Sequence, residues 1–399
     1  MRVLVDDSAA FNQGAGIGRY ARHLVPAAAA RLPGSHFRLC YAPARRGEAP
    51  FADQAFAAFG DQTRVDVRRL WLSRRRADQL WFRVRLPLPL QLLAGRADVV
   101  YSPDYTAPPA MGVPRVITVH DLAYLMVPER APAPLRRYLE AVVPRMMAQA
   151  ARIVIVSETT RRDIEERYPM HRDKLVVVPN GVERRFFDAI PPGQELRRKL
   201  SLPDAYLLSV GTIEPRKNLV NLFAALRARP RLGVPLVVAG RRGWDAEPIY
   251  LAAADLERAG LVQFLGHVPD DSLPSLYAGA AALIYPSWYE GFGLPVLEAM
   301  AAGVPVVAST APALTEVGGE LITSVAPDQV EAMATAIERA MSLSEQAAPA
   351  RQARQMRAAA WTWERSGSLL ADVLRQLAPS SDDELLVKDN DALPDQATR

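Results

Sequence analysis

The chain has 399 residues, too many for one ordinary hydrophobic core, so two domains are expected. Hydrophobic residues make up 49% and charged residues 23%, as in a soluble globular protein, and no apolar run is long enough to span a membrane. The formal net charge is only +4, and the single cysteine, Cys40, excludes an internal disulfide or a cysteine-rich zinc site and fits a reducing cytosol.

Met1-Arg-Val-Leu-Val5 begins a strand directly, so no leader peptide is expected. A glycine-rich loop then leads into a helix predicted over Ile17–Ala30. Phe37–Tyr41, Asp98–Tyr101, Val116–Val119, Ile153–Val156 and Leu175–Val178 are further predicted strands. Short apolar runs alternating with helices imply a parallel sheet covered on both faces. The turn-rich Asp188-Ala-Ile-Pro-Pro-Gly193 opens a hinge over 189–203, which separates a domain of 1–188 from one of 204–360. The second domain repeats the alternation through Tyr206–Val210, Leu236–Ala239, Val262–Leu265, Ala282–Tyr285 and Val304–Ala308. Trp361–Leu377 reads as a last helix, and from Pro379 the chain turns polar and acidic, so 378–399 is predicted to be a disordered tail. The fold class is therefore α/β: two Rossmann-like, doubly wound domains that bind ligands in the cleft between them.

The most informative stretch is Glu290-Gly-Phe-Gly-Leu-Pro-Val-Leu-Glu298. It lies between two predicted strands, with a helix over Pro295–Ala302, so Glu290 sits at the ligand-binding rim and Glu298 about one turn into the helix. Backbone N–H groups near Gly293 and Leu294 point outward at the helix's positive end, which suits a phosphate. Two carboxylates flanking an anion site are wrong for the anion and right for gripping sugars on either side of it. The segment resembles the E-x7-E motif of the family-4 retaining glycosyltransferases, which have the two-domain GT-B fold. The resemblance implies that Glu290 meets the donor sugar and Glu298 the nucleotide ribose, with Gly291, Phe292, Gly293 and Leu294 between them.

Gly211-Thr-Ile-Glu-Pro-Arg-Lys-Asn218 follows a strand and opens a helix. Cations normally avoid a helix N-terminus, so Arg216 and Lys217 there ask for an anion. The segment resembles the family's diphosphate loop, with Thr212 where some members carry another Arg. The only Asp-x-Asp, Asp389-Asn-Asp391, falls in the predicted tail. No metal ligands and no cofactor are therefore expected, and Arg216 and Lys217 would take a metal's place in stabilising the leaving group.

Gly14-Ala-Gly16-Ile-Gly18-Arg19 fits a dinucleotide fingerprint poorly, because Arg19 stands where the last Gly belongs and no acidic residue ends the second strand. It resembles the family's N-terminal glycine loop, which implies that Gly14 and Gly16 face the donor phosphates and the acceptor. His120 follows the Val116–Val119 strand. A lone His is often structural, but the family carries one here that contacts the donor sugar near the reacting carbon. No residue is an obvious nucleophile, and the resemblance implies front-face attack, with a donor phosphate oxygen receiving the acceptor's proton. Thr160 with Asp163 reads as a capping box. Asn180, in Pro179-Asn-Gly-Val182, is a turn residue or part of the family's turn before the hinge. Val268 follows a strand where the family's backbone holds the nucleobase.

The stretch Arg64–Arg96 holds nine Arg against Asp66 and Asp78, interleaved with Trp71, Trp81 and Phe82. It reads either as a peripheral contact with an anionic membrane or as a solvated face, and nothing else supports nucleic acid binding.

The resemblance covers about residues 1–375. It implies a metal-independent retaining hexosyltransferase; the lone cysteine fits a cytoplasmic location, and the Arg64–Arg96 stretch would supply a peripheral contact with the inner membrane if it is not a solvated face. The enzyme would take mannose or a rhamnose-like sugar from a nucleoside diphosphate sugar, GDP-mannose in the favoured case. The acceptor would be a glycan or lipid-linked hydroxyl in surface polysaccharide or lipopolysaccharide biosynthesis. Two rivals stand beside it: a nucleotide-sugar epimerase on the same fold, and a non-catalytic nucleotide-sugar-binding protein.

Overall fold

The computed structural model describes residues 1–44, 49–60, 64–342 and 346–378. The acidic tail from Pro379, with Asp389-Asn-Asp391, lies outside the described residues. Two parallel sheets organise the chain. The first has seven strands: β1 (Arg2–Asp6), β2 (His36–Tyr41), β3 (Val65–Arg69), β4 (Val99–Ser102), β5 (Arg115–Val119), β6 (Arg152–Ile155) and β7 (Leu175–Val177), in the order β3-β2-β1-β4-β5-β6-β7. The second has six: β8 (Leu207–Val210), β9 (Leu236–Ala239), β10 (Val262–Gly266), β11 (Ala282–Tyr285), β12 (Val306–Ser309) and β13 (Thr323–Val325), in the order β10-β9-β8-β11-β12-β13. Both orders reverse direction beside a central strand, β1 or β8, and that is where doubly wound sheets open a crevice.

The apolar runs form strands because helices cover both faces of each sheet. Val99, Val100 and Tyr101 of β4 are fully buried, as are Ala282, Leu283 and Ile284 of β11. Sequence reading missed β3 and β13, and both are edge strands. The sequence of β3, Val-Asp-Val-Arg-Arg, is charged because an edge strand is only half covered, and β13 has three residues. The segment predicted as hinge contains a helix at Gln194–Leu200.

The Trp363–Leu377 helix packs on the Gly16–Ala30 helix of the first domain. Approach is close at Gly367, where a Cβ would come within 2.5 Å of the Ala27 backbone. Ser366 Oγ donates to the Pro179 carbonyl (2.6 Å). Leu370 and Leu374 are fully buried in a core cluster that draws on both domains.

Two expectations need correction. Trp81 and Phe82 are not surface anchors: they are 5% and 6% exposed and belong to the first domain's core, whereas Trp71 is 75% exposed. Arg74 also turns inward, to Asp78 (3.0 Å) and Asp104 (3.7 Å). The neighbouring Arg75, Arg76, Arg83 and Arg85 form the outward side of a packed segment, with the rings of Trp81 and Phe82 filling the core beneath. The helix Glu158–Arg167 is capped by Ser157, whose hydroxyl accepts from the Thr160 N–H (3.0 Å), so Thr160 is not the cap. Among the described residues no helix is long and apolar enough to cross a membrane.

Leu374→Ala removes a fully buried side chain from the joint between the terminal helix and the first domain. It should destabilise the protein by about 2–5 kcal/mol, read as a lower urea midpoint. An unchanged midpoint would mean that this helix does not contribute to the core.

Candidate functional site

A cavity of about 450 Å³ opens between the two sheets. Its second-domain wall is built where β8, β9, β10 and β11 end and loops lead into helices. Every sequence-predicted site residue lines it: Gly14, Gly16, His120, Gly211, Arg216, Lys217, Val268, Glu290 with the four residues after it, and Glu298. Sequence reading missed Arg19, Tyr105, Glu214, Arg241, Trp244 and Asp270 on the same walls. Arg19 left a trace as the residue that spoils a glycine fingerprint, and Glu214 stands inside the Gly211–Asn218 segment without a role of its own; the others come together through tertiary folding.

Glu290 is the centre of charge. Lys217 Nζ donates to its Oε1 (2.6 Å), Arg216 Nη1 lies 2.9 Å from its Oε2, and the Tyr285 hydroxyl donates to Oε1 (3.0 Å). Lys217 also donates to Tyr285 Oη (2.7 Å), and Arg216 Nη2 meets Glu214 at 2.7 Å. Burial alone would raise the Glu290 carboxyl, but the charges of Arg216 and Lys217 prevail and hold it at about 2. Burial and the neighbouring Arg216 charge lower the Lys217 ammonium, with Glu290 and Glu214 opposing.

The cations are carried by a short turn, Pro215–Lys217, and Asn218 takes a left-handed φ of +58° between it and the Leu219–Arg227 helix. Asn218 fits there because its Nδ2 donates to the carbonyls of Pro286 (3.0 Å) and Pro327 (2.6 Å). Sequence reading aimed Arg216 and Lys217 at an outside anion, whereas in the folded chain carboxylates of the same wall occupy them.

Glu298 is paired in a similar way. Arg19 Nη1 lies 2.6 Å from its Oε1, and the Tyr277 hydroxyl donates to Oε2 (2.7 Å). Burial raises this carboxyl, and Arg19 counters the effect. Arg19 comes from the first domain, so this contact bridges the cleft.

The loop between the two carboxylates is pressed against the first domain. A Cβ on Gly291 would come within 2.0 Å of the His120 carbonyl oxygen, and Gly293 caps the next helix with φ +107°, so neither position tolerates a side chain readily. Ser157 Oγ donates to the Gly291 carbonyl (2.6 Å), and Tyr289 Oη donates to Asp163 (2.5 Å). Glu316 accepts from the Glu158 and Thr159 N–H groups (2.8 and 3.0 Å) and so covers the start of their helix from the other domain.

His120 is buried, with Nε2 2.9 Å from the Pro103 carbonyl. A carbonyl only accepts, so Nε2 carries the hydrogen and Nδ1 is the ring's acceptor. Burial lowers the imidazole below its ordinary value, which keeps it neutral at physiological pH. Among the described residues no three His, Cys, Asp or Glu side chains gather as a metal site.

Residues 194–357 match the family described as Glycosyl transferases group 1, and residues 14–186 match Glycosyltransferase Family 4. The chain is 32% identical over 334 residues to the O-antigen chain mannosyltransferase B of Escherichia coli, covering 81% of this chain and 86% of that protein. It is 28% identical to the O-antigen chain mannosyltransferase RfbU of Salmonella typhimurium over 65% of this chain and 70% of that one. Among solved structures, sucrose-phosphate synthase from Thermosynechococcus elongatus superposes with a TM-score of 0.71 at 19% identity, over 94% of this chain and 98% of that one. WaaG, a glycosyltransferase involved in lipopolysaccharide biosynthesis, gives 0.67 at 18% identity, over 94% and 99%. At these identities the structural likeness establishes the fold, two Rossmann-like domains arranged as in GT-B enzymes.

The charge balance at Glu290 has a pH signature. Its folded value of about 2 lies below the ordinary 4.5. The stabilisation is therefore fully present above about pH 5 and is lost as pH falls towards 2, and it amounts to something on the order of 3 kcal/mol. Glu290→Gln should be less stable than the wild type at pH 7, with the gap closing between pH 5 and 2 in urea titrations. A gap independent of pH would show that charge does not hold this residue.

Proposed function

The chain belongs to the family-4 glycosyltransferases, and from that premise we propose that it transfers mannose, or a closely similar hexose, from a nucleoside diphosphate sugar to a glycan or lipid-linked hydroxyl in surface polysaccharide assembly. The observation that carries this reading is the pairing of Glu290 with Arg216 and Lys217 at the cleft. A nucleotide sugar brings hydroxyls for the carboxylate and phosphates for the cations, so it can satisfy both halves of the pair at once. Glu290 then grips the sugar, Glu298 the ribose, and Arg216 with Lys217 the diphosphate.

Two observations favour a mannose donor carrying guanine. The relatives named above are O-antigen mannosyltransferases. Beside Val268 the cavity wall also carries Asp270 and Arg241. Guanine offers two N–H groups to a carboxylate and its O6 and N7 to a guanidinium, whereas uracil would set a carbonyl against the carboxylate.

The proposed reaction proceeds with retention. The acceptor oxygen approaches the anomeric carbon from the face the phosphate leaves. The sugar–phosphate C–O bond breaks, the new C–O bond forms, and the acceptor's proton passes to the departing phosphate oxygen. Charge that develops on the diphosphate is met by Arg216 and Lys217 without a metal. His120, through Nδ1, accepts from a sugar hydroxyl near the reacting carbon and keeps the ring oriented by its bond to Pro103.

We place the enzyme in the cytoplasm with its basic stretch towards the inner membrane. Arg68, Arg69, Arg75, Arg76, Arg83 and Arg85 are exposed there, and Trp71, Val84 and Leu86 supply exposed apolar contacts. Such a surface gives reversible, salt-sensitive attachment.

Four outcomes test this reading. Lys217→Ala and Arg216→Ala should each lower kcat/KM by about 1.5–3 kcal/mol of transition-state stabilisation. EDTA should leave the rate unchanged, and loss of activity restored by Mn²⁺ would overturn the metal-free mechanism. Glu290→Gln should mainly lower kcat and Glu298→Gln mainly raise the donor KM; the reverse pattern would exchange the two ends of the donor. The protein should pellet with anionic liposomes at low salt and be released at high salt, and equal binding to neutral liposomes would reduce the basic stretch to an ordinary solvated face.

A further inference from the structure

Arg19 ends the Gly14–Arg19 segment but was given no role there, yet it is placed as a ligand-binding group would be. It is the fourth residue of the Gly16–Ala30 helix, behind the Gly14–Gly16 loop, and it lines the cavity. Its side chain is 13% exposed. The guanidinium sits 2.6 Å from Glu298 and 3.4 Å from Glu183, while its Nε is buried without a partner among the described residues. Glu183 is already served by Arg185 (2.7 Å) and by His23 (3.3 Å). Glu298 is thus the principal counter-ion of Arg19, and the guanidinium keeps unused donor capacity.

The cleft contains the same arrangement twice. Glu290 is held by Arg216 and Lys217, and Glu298 is held by Arg19. In each case the carboxylate is one that the proposed function assigns to sugar hydroxyls. When a ribose diol takes Glu298, Arg19 loses its main counter-ion in a nearly dry environment, and a buried cation without an anion is costly. The anions that arrive with the donor are its phosphates, and the planar fork of an Arg fits two phosphate oxygens at once.

We propose that Arg19 is a third cation of the diphosphate site, stored on Glu298 until the donor binds. The inference rests on the cleft being the donor site. Because Arg19 is carried by the first domain, and Arg216 and Lys217 by the second, the diphosphate becomes a bridge between them. Donor binding exchanges the direct Arg19–Glu298 bridge for one that runs through the substrate.

The test compares affinities for a nucleoside diphosphate and its bare nucleoside, GDP with guanosine and UDP with uridine, by calorimetry on the full-length protein. In Arg19→Gln the ratio of nucleoside Kd to diphosphate Kd should fall by about tenfold or more. The diphosphate weakens, while the nucleoside binds as well as before or better because Glu298 is released. Arg19→Lys, which keeps the charge, should stay nearer the wild type. Should Arg19→Gln not melt cooperatively, Arg19→Gln with Glu298→Gln removes both halves of the buried pair and must show the same loss of phosphate dependence. A ratio within about threefold of the wild type would overturn the role of Arg19. Lys217→Ala separates the two readings. If it lowers the ratio and Arg19→Gln does not, only the role of Arg19 fails; if neither does, the diphosphate does not bind in this cleft.

Discussion

A carboxylate buried without a counter-charge is one of the most costly features a fold can carry, and Glu290 is tolerable only because Lys217 and Arg216 are buried with it. That constraint organises the second domain's share of the cleft. The cations must reach across from the end of β8 to the end of β11, so the Pro215–Lys217 turn is held by Asn218 to the Pro286 carbonyl, and the Trp288 N–H donates to the Arg216 carbonyl (2.9 Å). Glu214, Tyr285 and Tyr277 complete the polar shells around the two glutamates. The two glutamates and the cations beside them are therefore paired with one another. A substrate gains affinity there by offering better partners to groups that already have partners.

The same logic links the domains. Three of the contacts that cross between the domains brace the motif: Ser157 to Gly291, Tyr289 to Asp163, and Glu316 to the start of the Glu158–Arg167 helix. All of them position the loop between Glu290 and Glu298 or the helix beside it, so the motif is braced from both sheets. Arg19 adds a fourth contact that ends on the motif's second glutamate. The Trp363–Leu377 helix returns the end of the described chain to the first domain, and its Ser366 bonds the Pro179 carbonyl just before the hinge segment. Motion of one domain against the other would have to work against these contacts, and that couples the geometry of the donor site to the relative position of the sheets.

Much of this was legible in the sequence, for identifiable reasons. Central strands such as β4 and β11 are almost wholly apolar because helices cover both faces, so the alternation with helices was plain. The edge strands β3 and β13 lacked that signal because one side of each is uncovered. The E-x7-E segment and the Glu-Pro-Arg-Lys-Asn loop stood out because their glycines, prolines and charges make little sense as packing. What the sequence did not display was pairing across distance. Nothing in Arg216 and Lys217 as a dipeptide says that Glu290, far along the chain, will neutralise them. Trp81 and Phe82 misled because a linear string cannot distinguish aromatic rings that face a membrane from rings that face a core. Arg19 was noticed only as a defect in a glycine pattern, since its partner Glu298 lies in the other domain.

The central claim is that Glu290 and its two cations exchange partners when the donor binds. The most direct measurement is a crystal structure of the full-length protein with a non-transferable nucleoside diphosphate sugar. The account predicts Arg216 and Lys217 within hydrogen-bond distance of phosphate oxygens and Glu290 accepting from sugar hydroxyls, with the Lys217–Glu290 contact lengthened from its 2.6 Å. A donor bound in the cleft with Lys217 and Arg216 still closed on Glu290, and with no cation on its phosphates, would contradict it.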